Sequence, residues 1–490
     1  MRGAAGRGAG LGAGLGAGLG AAMMVGLTSA ALAGPINGFT AGDLVISTVS
    51  GSTLDAASPV VLQEFQLGAD ARSASTVGTL TLPQTGNGAN AAFSGEYGSA
   101  SEGALQRSVN GQYLTIMGYG VNAQAFNSAP LATYGTAALG QTSSLTGGSV
   151  TTVPRVVALV GANGSVDTTT ALTGVFNTNN PRSAATVDGS SFYVSGQAGS
   201  KTDPTQGVFL AQRGATTATP IDTSTDTRIV SIVNNGGGNT LYVSRDQNPP
   251  GSSNQNFTNV ASLTQNGGLP TSSTNVVTTH IVPPAAPLSS GGNNGSINLT
   301  AGTANGVNNS RIGSFVYLSP ESYFFANPST LYVADSGQPK NGNVNKAALG
   351  EGGLQKWILQ NGTWTLAYDL VKGLNLANNA NANPNNPTAP GVTGLFGLTG
   401  QVVDGQVELF ATSYGLNELS PSHLYEITDL LDATSIGQVG GESFTSLYDS
   451  DPGQLIRGVA FAPVPEPASL ALLGTGLIAL AAVRRRRHGG

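Results

Sequence analysis

The chain has 490 residues, only 9% of them charged, with 70 glycines and no cysteine. A disulfide framework, a thiol nucleophile and a thiolate metal site are therefore excluded. Val, Leu, Ile and aromatic residues recur in short runs along the whole length, so the material for a packed core is present and the glycine content does not mean global disorder.

Arg2 and Arg7 open the sequence, followed by a Leu-Gly-Ala run over Gly8–Gly20 and an uncharged apolar stretch over Ala21–Leu32. Ala31-Leu32-Ala33 places small residues at Ala31 and Ala33, the pattern of a signal-peptidase site. A secretory signal peptide is predicted over 1–33, with the mature chain beginning near Gly34. An uncleaved N-terminal anchor is the competing reading.

From Gly42 the pattern becomes short apolar runs separated by Gly, Asn, Asp, Ser and Thr. Leu44–Val49, Val60–Phe65 and Thr76–Leu82 read as the first strands, and no sustained 3.6-residue period argues for a long helix. Asn361-Gly362 between Gln355–Gln360 and Thr363–Tyr368 predicts a hairpin with a type I′ turn, because both turn residues tolerate positive φ. Asn163-Gly164 after Val156–Val160 predicts another. Pro283–Asn309 and Asn375–Gly391 are rich in Asn, Gly and Pro and are expected to be exposed loops.

A longer unit recurs: a strand start, a turn, then an aromatic-aliphatic strand. Arg107-Ser108 leads to Tyr113–Ile116, Arg182-Ser183 to Phe192–Ser195, Arg228-Ile229 to Leu241–Ser244, and Arg311-Ile312 to Leu331–Asp335. Leu395–Val403 leads to Val407–Thr412 without an arginine, and a sixth copy opens at Ile456-Arg457. Repeated units of about four short strands are the mark of a β-propeller blade. The copy at Leu331–Tyr368 resembles blades of NHL- and other YVTN-type propellers. An all-β propeller of six, or seven, blades is predicted over 34–462, with the strands of Gly42–Phe65 completing the last blade and closing the ring. A β-sandwich or a right-handed β-solenoid is the architectural rival.

The end of the chain reads Val464-Pro465-Glu466-Pro467, then the uncharged run Ala468–Val483, then Arg484, Arg485, Arg486 and Arg487. As a helix the run spans about 24 Å, short for a hydrocarbon core of ~30 Å, but snorkelling arginines compensate and hold the cytoplasmic side. Pro465 and Pro467 keep the preceding backbone extended and open to a protease. The three-part order over 463–490 resembles the PEP-CTERM sorting signal of Gram-negative bacteria. That resemblance implies recognition by an exosortase, transient anchoring in the inner membrane, removal of the tail, and export to the outer envelope, biofilm matrix or medium. A plain C-terminal membrane anchor is the alternative. Without both ends the body keeps 14 basic and 25 acidic residues, net −11, which argues against nucleic acid as a partner.

Chemistry is sparse in the body. His280, His423 and His488 are the histidines, and the last leaves with the tail, so neither a three-histidine metal site nor a marked Ser-His-Asp triad is available. No metal site, cofactor or catalytic residue is expected. Asp246, Asp335, Glu351 and Asp404 read as turn and cap residues, though a carboxylate pair would suit a glycosidase or lyase. Asp222 with Asp226, and Asp449 with Asp451, are thin candidates for weak Ca²⁺. The one recurring constellation is Arg107, Arg182, Arg228, Arg311 and Arg457, each opening its unit. Equivalent positions in a propeller lie on a ring, and arginines there would suit an anionic sugar or phosphate. The alternative is that each packs on its own blade or pairs with a neighbouring acid. The expected function is a non-enzymatic interaction or adhesion module, with exopolysaccharide as the partner that the family resemblance suggests. A secreted propeller enzyme, a polysaccharide lyase or glycoside hydrolase, is the alternative.

Overall fold

The computed structural model describes residues 34–200, 202–245, 259–282, 296–298, 315–317, 319–337, 352–374, 376 and 391–465. The signal-peptide region 1–33, the tail from Glu466 and most of the two Asn-rich loops lie outside them. Among the described residues the chain is almost wholly β.

It begins with β1 (Gly34–Pro35), β2 (Leu44–Ser50), β3 (Ala57–Leu67), β4 (Ala74–Thr81), β5 (Ser94–Glu96), β6 (Gln106–Arg107) and β7 (Tyr113–Tyr119). Two short helices, α1 (Ala123–Ser128) and α2 (Pro130–Tyr134), lead to β8 (Arg155–Gly161) and β9 (Val166–Leu172). Then come β10 (Pro181–Ala185), β11 (Ser191–Gly196), β12 (Gly207–Gln212) and β13 (Thr219–Asp222), followed by β14 (Val230–Asn234), β15 (Asn239–Arg245), β16 (Asn259–Thr264) and β17 (Val277–Val282). β18 (Ser296–Asn298) and β19 (Phe315–Tyr317) pair with each other. The last part holds β20 (Pro320–Asn327), β21 (Thr330–Asp335), β22 (Gly353–Gln360), β23 (Thr363–Leu370), β24 (Val392–Val403), β25 (Gln406–Gly415), β26 (His423–Leu430), the one-turn α3 (Ile436–Val439), β27 (Thr445–Asp449) and β28 (Gln454–Phe461).

Four antiparallel sheets, β10–β13, β14–β17, β20–β23 and β24–β27, are each a meander of four consecutive strands, and they form a propeller-like ring. The other long strands belong to one ten-stranded sheet, in which β2 lies between β3 and the C-terminal β28. Leu44 faces Phe461 and Ser50 faces Gln454, so the beginning and end of the body are sewn together by main-chain hydrogen bonds. Such closure leaves neither strand as a free edge. Among the described residues four sheets stand apart as blades, and the remaining long strands form one sheet because Ala57–Pro59 at the start of β3 also pairs with β5.

The aromatic-aliphatic runs picked out in the sequence are β7, β11, β15, β21 and β25, and in every four-stranded sheet such a run is the second strand. Their near-continuous hydrophobicity has a simple cause: both faces are covered. Phe192 and Val194 of β11 enter one apolar cluster while Tyr193 enters another with Leu241 and Val243. Leu331 and Val333 of β21 likewise point away from Tyr332 and Ala334. Successive side chains of a strand alternate between faces, so a strand between two neighbours must be apolar at both.

The fourth unit starts elsewhere than the sequence suggests. The strand pairing with β21 is β20, opening Pro320-Glu321-Ser322, and Arg311 lies outside the described residues. β10 opens Pro181-Arg182-Ser183, so the corresponding place in this unit carries an acid. The hairpin at Asn361-Gly362 forms as expected, with φ of 51° and 79°. The hairpin at Asn163-Gly164 also forms, joining β8 to β9, but with a different turn: only Gly164 has positive φ, and the Asn163 carboxamide oxygen accepts from the Ser165 amide at 3.1 Å and hydroxyl at 2.6 Å. That side-chain bond favours an Asx turn over the two-residue type I′ loop.

Candidate ligand-binding cavity

Loops from several sheets converge on a cavity of about 780 Å³. Its wall takes Asp55 from the β2–β3 turn, Glu96 from the end of β5, and Ser99 and Ser101 from the following loop. Thr178, Asn179, Asn180 and Arg182 enter at the start of β10, Gln197 after β11, Arg228 before β14, and Tyr414 and Glu418 at the end of β25. Almost every lining side chain is polar.

The loops are fixed by hydrogen bonds that also fix these side chains. Asp55, at φ 64°, donates its amide to the Tyr97 carbonyl and accepts the Leu139 amide, both at 2.9 Å. One Glu96 carboxyl oxygen accepts the Gly140 amide at 3.0 Å. A Cβ at position 140 would stand 2.8 Å from the other Glu96 oxygen, so this close approach needs glycine. Behind Glu96 lies Glu102, 4% exposed, which accepts from the Glu96 amide, from Asn180 at 2.7 Å and from the Tyr119 hydroxyl. Arg182 pairs with Asp226 and donates to Gln197 at 2.6 Å, and Arg228 pairs with Glu321 at 3.1 Å.

Electrostatics follow from burial. Desolvation pushes Glu102 up to about 7, against the Tyr119 and Glu96 hydrogen bonds that favour its anion. Glu96 is held well above the usual carboxylate range by burial and by the neighbouring Glu102 charge. Burial also raises Asp55 and Glu418, less strongly. On the far side of Glu96 a second cavity of about 10 Å³, room for one water, is lined by Glu96, Glu102, Ser47, Gly103 and Arg457.

Of the arginines singled out in the sequence, Arg182 and Arg228 line the larger cavity and Arg457 the smaller. Arg107 is not among the lining residues; its Nε donates to the Gly111 carbonyl at 3.2 Å. The paired acids do not face each other as a cation site: Asp222 pairs with Arg245 at 2.5 Å, Asp226 with Arg182, and Asp449 with His423 at 2.6 Å. Among the described residues no cluster of three His, Asp or Glu could hold a metal ion. Asp404 sits at φ 50° in the turn joining β24 and β25, and Asp335 accepts from the Ser319 and Gly337 amides and from Gln355. Asp246 and Glu351 lie outside the described residues, as do Ala31, Ala33, Glu466, Pro467 and Arg484–Arg487.

Sequence reasoning missed Glu102, Asp55 and Glu418, which lie in loops with no motif spacing, and Glu96 and Tyr414, which lie at the ends of β5 and β25. It also missed Arg155 at the head of β8. That side chain is fully buried, stacks over Tyr119 at 4.8 Å, and donates to the Val153, Thr142, Asn179 and Phe176 carbonyls at 2.8–3.2 Å. The usable signal was the low charge content: where charges are rare, those inside strand-rich sequence have been placed at a desolvation cost.

At the other end of the body, the Val464 amide donates to the Gly111 carbonyl at 2.8 Å, and Pro465 is exposed. Residues 463–487 match the PEP-CTERM protein-sorting motif. A motif of this kind implies an exosortase partner, export and transient membrane anchoring. Among the described residues no helix is long and apolar enough to cross a membrane; the run Ala468–Val483 lies outside them. No curated protein matches the sequence. Among solved structures, a Bacteroides fragilis NCTC 9343 protein named as a candidate 6-phosphogluconolactonase aligns at 11% identity over 78% of this chain and 98% of its own, with a TM-score of 0.31. A Lactobacillus plantarum protein aligns at 9% identity over 86% and 99%, with a TM-score of 0.34. A Bombyx mori GH32 β-fructofuranosidase aligns at 11% identity over 66% and 61%, with a TM-score of 0.26. Scores this low carry no argument about this chain.

Proposed function

We propose that the body is an exported, non-enzymatic interaction module that binds saccharide of the extracellular matrix in the larger cavity. In this reading signal peptidase cuts after Ala33, the apolar run Ala468–Val483 holds the chain in the inner membrane until an exosortase acts near Pro465-Glu466-Pro467, and the freed body reaches the outer envelope or beyond. The two four-strand runs of the ten-stranded sheet, β28-β2-β3-β4 and β6-β7-β8-β9, count as two further blades, giving six.

The observation that carries the binding reading is the wall of the 780 Å³ cavity, where amides, hydroxyls, carboxyls and guanidinium groups converge from loops held by the sheets. A hydroxyl-rich ligand needs many donors and acceptors at fixed positions, and a cavity of a few hundred Å³ or more is the size that encloses small ligands. A second reading, a secreted propeller enzyme acting on polysaccharide, draws on the carboxyls of Asp55, Glu96 and Glu418 at the same wall. Incubating the purified body with matrix polysaccharide separates the two. Saturable binding without release of reducing ends supports the module, and release of reducing ends that is lost in Glu96→Gln supports the enzyme.

A further inference from the structure

The body's last strand delivers the chain to one end of the sheets, and the larger cavity opens at the other. Arg182, the second residue of β10, is in the cavity wall, while past the far end of β10 the Thr186 and Val187 carbonyls accept the Val109 and Asn110 amides at 3.1 and 3.0 Å. The β6–β7 and β10–β11 turns therefore lie side by side at the end remote from the cavity. β11 agrees: Gln197 and Gly199, just past its last residue, line the cavity, and Ser190, just before its first, is an exposed turn residue. Strands of six and seven residues, as in β11 and β7, put roughly 15–20 Å between the two ends at a rise of about 3.3 Å per residue. β28 finishes at the remote end with Phe461; the Ala462 amide then donates to the Asp43 carbonyl and the Val464 amide to the Gly111 carbonyl, both at 2.8 Å. The same Gly111 carbonyl accepts from Arg107 Nε, and a Cβ at position 111 would stand 2.9 Å from an Arg107 terminal nitrogen, so the exit point is packed around an exposed guanidinium.

We propose that, before processing, the β6–β7 and β10–β11 turns rest on the phospholipid headgroups of the inner membrane, and that the larger cavity opens away from it. This rests on the anchoring by Ala468–Val483 in the reading given above. Only Pro465, Glu466 and Pro467 separate Val464 from that run, and three residues span at most about 11 Å. The headgroup layer outside the hydrocarbon core is itself about 5–8 Å deep. A tether so short cannot turn the body over, because with the cavity end down the chain would have to run roughly 15–20 Å back along the strands before entering the bilayer. Laying the body on its side fails as well. β28 is enclosed, its Arg457 carbonyl accepting from Thr412 of β25 and its Gly458 amide donating to the Gly103 carbonyl, and β2, β3 and β4 follow it in the sheet. Three strand spacings of about 4.8 Å would then stand between the exit and the lipid. At the exit itself the terminal nitrogens of Arg107 have no acceptor among the described residues, which suits a headgroup phosphate, while the Asp188 carboxylate in the neighbouring turn is occupied by the Ser190 amide and hydroxyl.

The chain has no cysteine, so a single introduced thiol reports a single place. Full-length protein carrying Gln112→Cys or Ser190→Cys at the turn end, or Gln141→Cys or Ser200→Cys at the cavity end, is labelled with a fluorophore. Each is reconstituted into phosphatidylethanolamine–phosphatidylglycerol vesicles with and without a lipid bearing a nitroxide on its headgroup. Labels at 112 and 190 are expected to be quenched about twofold or more, because they lie at the headgroup layer, and those at 141 and 200 by less than about a tenth. Equal quenching at both ends, or stronger quenching at 141 and 200, overturns the proposal and leaves the anchoring reading standing. Failure of the full-length protein to float with the vesicles overturns the anchoring reading and the proposal with it. Two positions at each end keep the comparison intact if one variant misfolds, which its melting temperature reveals.

Discussion

At the scale of single residues the body shows how a chain with few charges can afford to bury some of them. Arg155 is satisfied by backbone carbonyls from two loops, the α2–β8 and β9–β10 connections, so it holds the α2–β8 region against the start of β10. Replacing it with Met keeps the bulk but takes the Arg155 donors from all four carbonyls; those of Thr142 and Phe176 keep an amide donor from Thr178 and Asn179, while Val153 and Asn179 lose the only donor seen among the described residues. Each orphaned acceptor costs roughly 1–3 kcal/mol, so Arg155→Met should lower stability by about 3 kcal/mol or more in urea titration. A loss under about 1 kcal/mol would mean that the loops find other partners. Tyr119 is coupled to the same spot, stacking under Arg155 and donating to Glu102, and that links the structural arginine to the acid behind the cavity wall.

Between elements, the sheets β20–β23 and β24–β27 are fastened by a polar clasp inside an apolar seam. Lys356 of β22, fully buried, pairs with Asp429 of β26 at 2.9 Å and donates to the Leu430 and Leu431 carbonyls at 2.7 and 2.9 Å. Tyr332 and Tyr368 both donate to Asp429, and their rings flank the Lys356 ammonium at 5.5 and 5.2 Å. Burial lowers the Lys356 ammonium while the Asp429 charge supports it. Breaking a buried pair strands a charge and costs about 3–5 kcal/mol, whereas replacing both partners with apolar groups is often near neutral. Lys356→Met alone should therefore destabilise strongly, and Lys356→Met with Asp429→Leu should recover most of the loss. A double variant no more stable than the single one would show that the clasp acts through its carbonyl contacts instead. This clasp was illegible in the sequence, because its members come from four strands and neither charge has a partner at short range. Both hairpins were legible, at Asn361-Gly362 with its turn type and at Asn163-Gly164 without it, because a serine two residues on recruits the asparagine side chain.

For the molecule as a whole, burial of carboxyls sets the pH response. Asp335 and Glu102 are raised to about 7 and Glu442 to about 8, from ordinary values of 3.8 and 4.5. Between about pH 4.5 and 8 these groups hold protons in the folded chain that the unfolded chain has released, so stability falls as pH rises through that window. Asp167, Asp222 and Asp449, held low by hydrogen bonds and cations, lose their contribution only below about pH 4. His280, lowered by burial, opposes the trend below 6.5 as a single half-exposed group. The melting temperature should be higher at pH 5 than at pH 8; the reverse order would mean that the buried carboxyls are ionised in the fold. The architecture was readable at this scale because doubly covered strands repeat a hydrophobic pattern. The repeat located β7, β11, β15, β21 and β25, and the incomplete last unit foretold the β2–β28 pairing. The joining of β3 to β5 and the cavity were not readable, since both depend on loops whose sequences carry no period.

The Val464 amide, within the first residues of the PEP-CTERM motif, donates to the Gly111 carbonyl, so the start of the motif lies against the β6–β7 turn. The measurement to make is the intact mass of the protein recovered from envelope and from medium of its native host. A mass running from Gly34 to within Val464–Pro467, with or without an added group at the new C-terminus, is the expected result. A mass that still contains Arg484–Arg487 would contradict processing and leave the tail as a simple anchor.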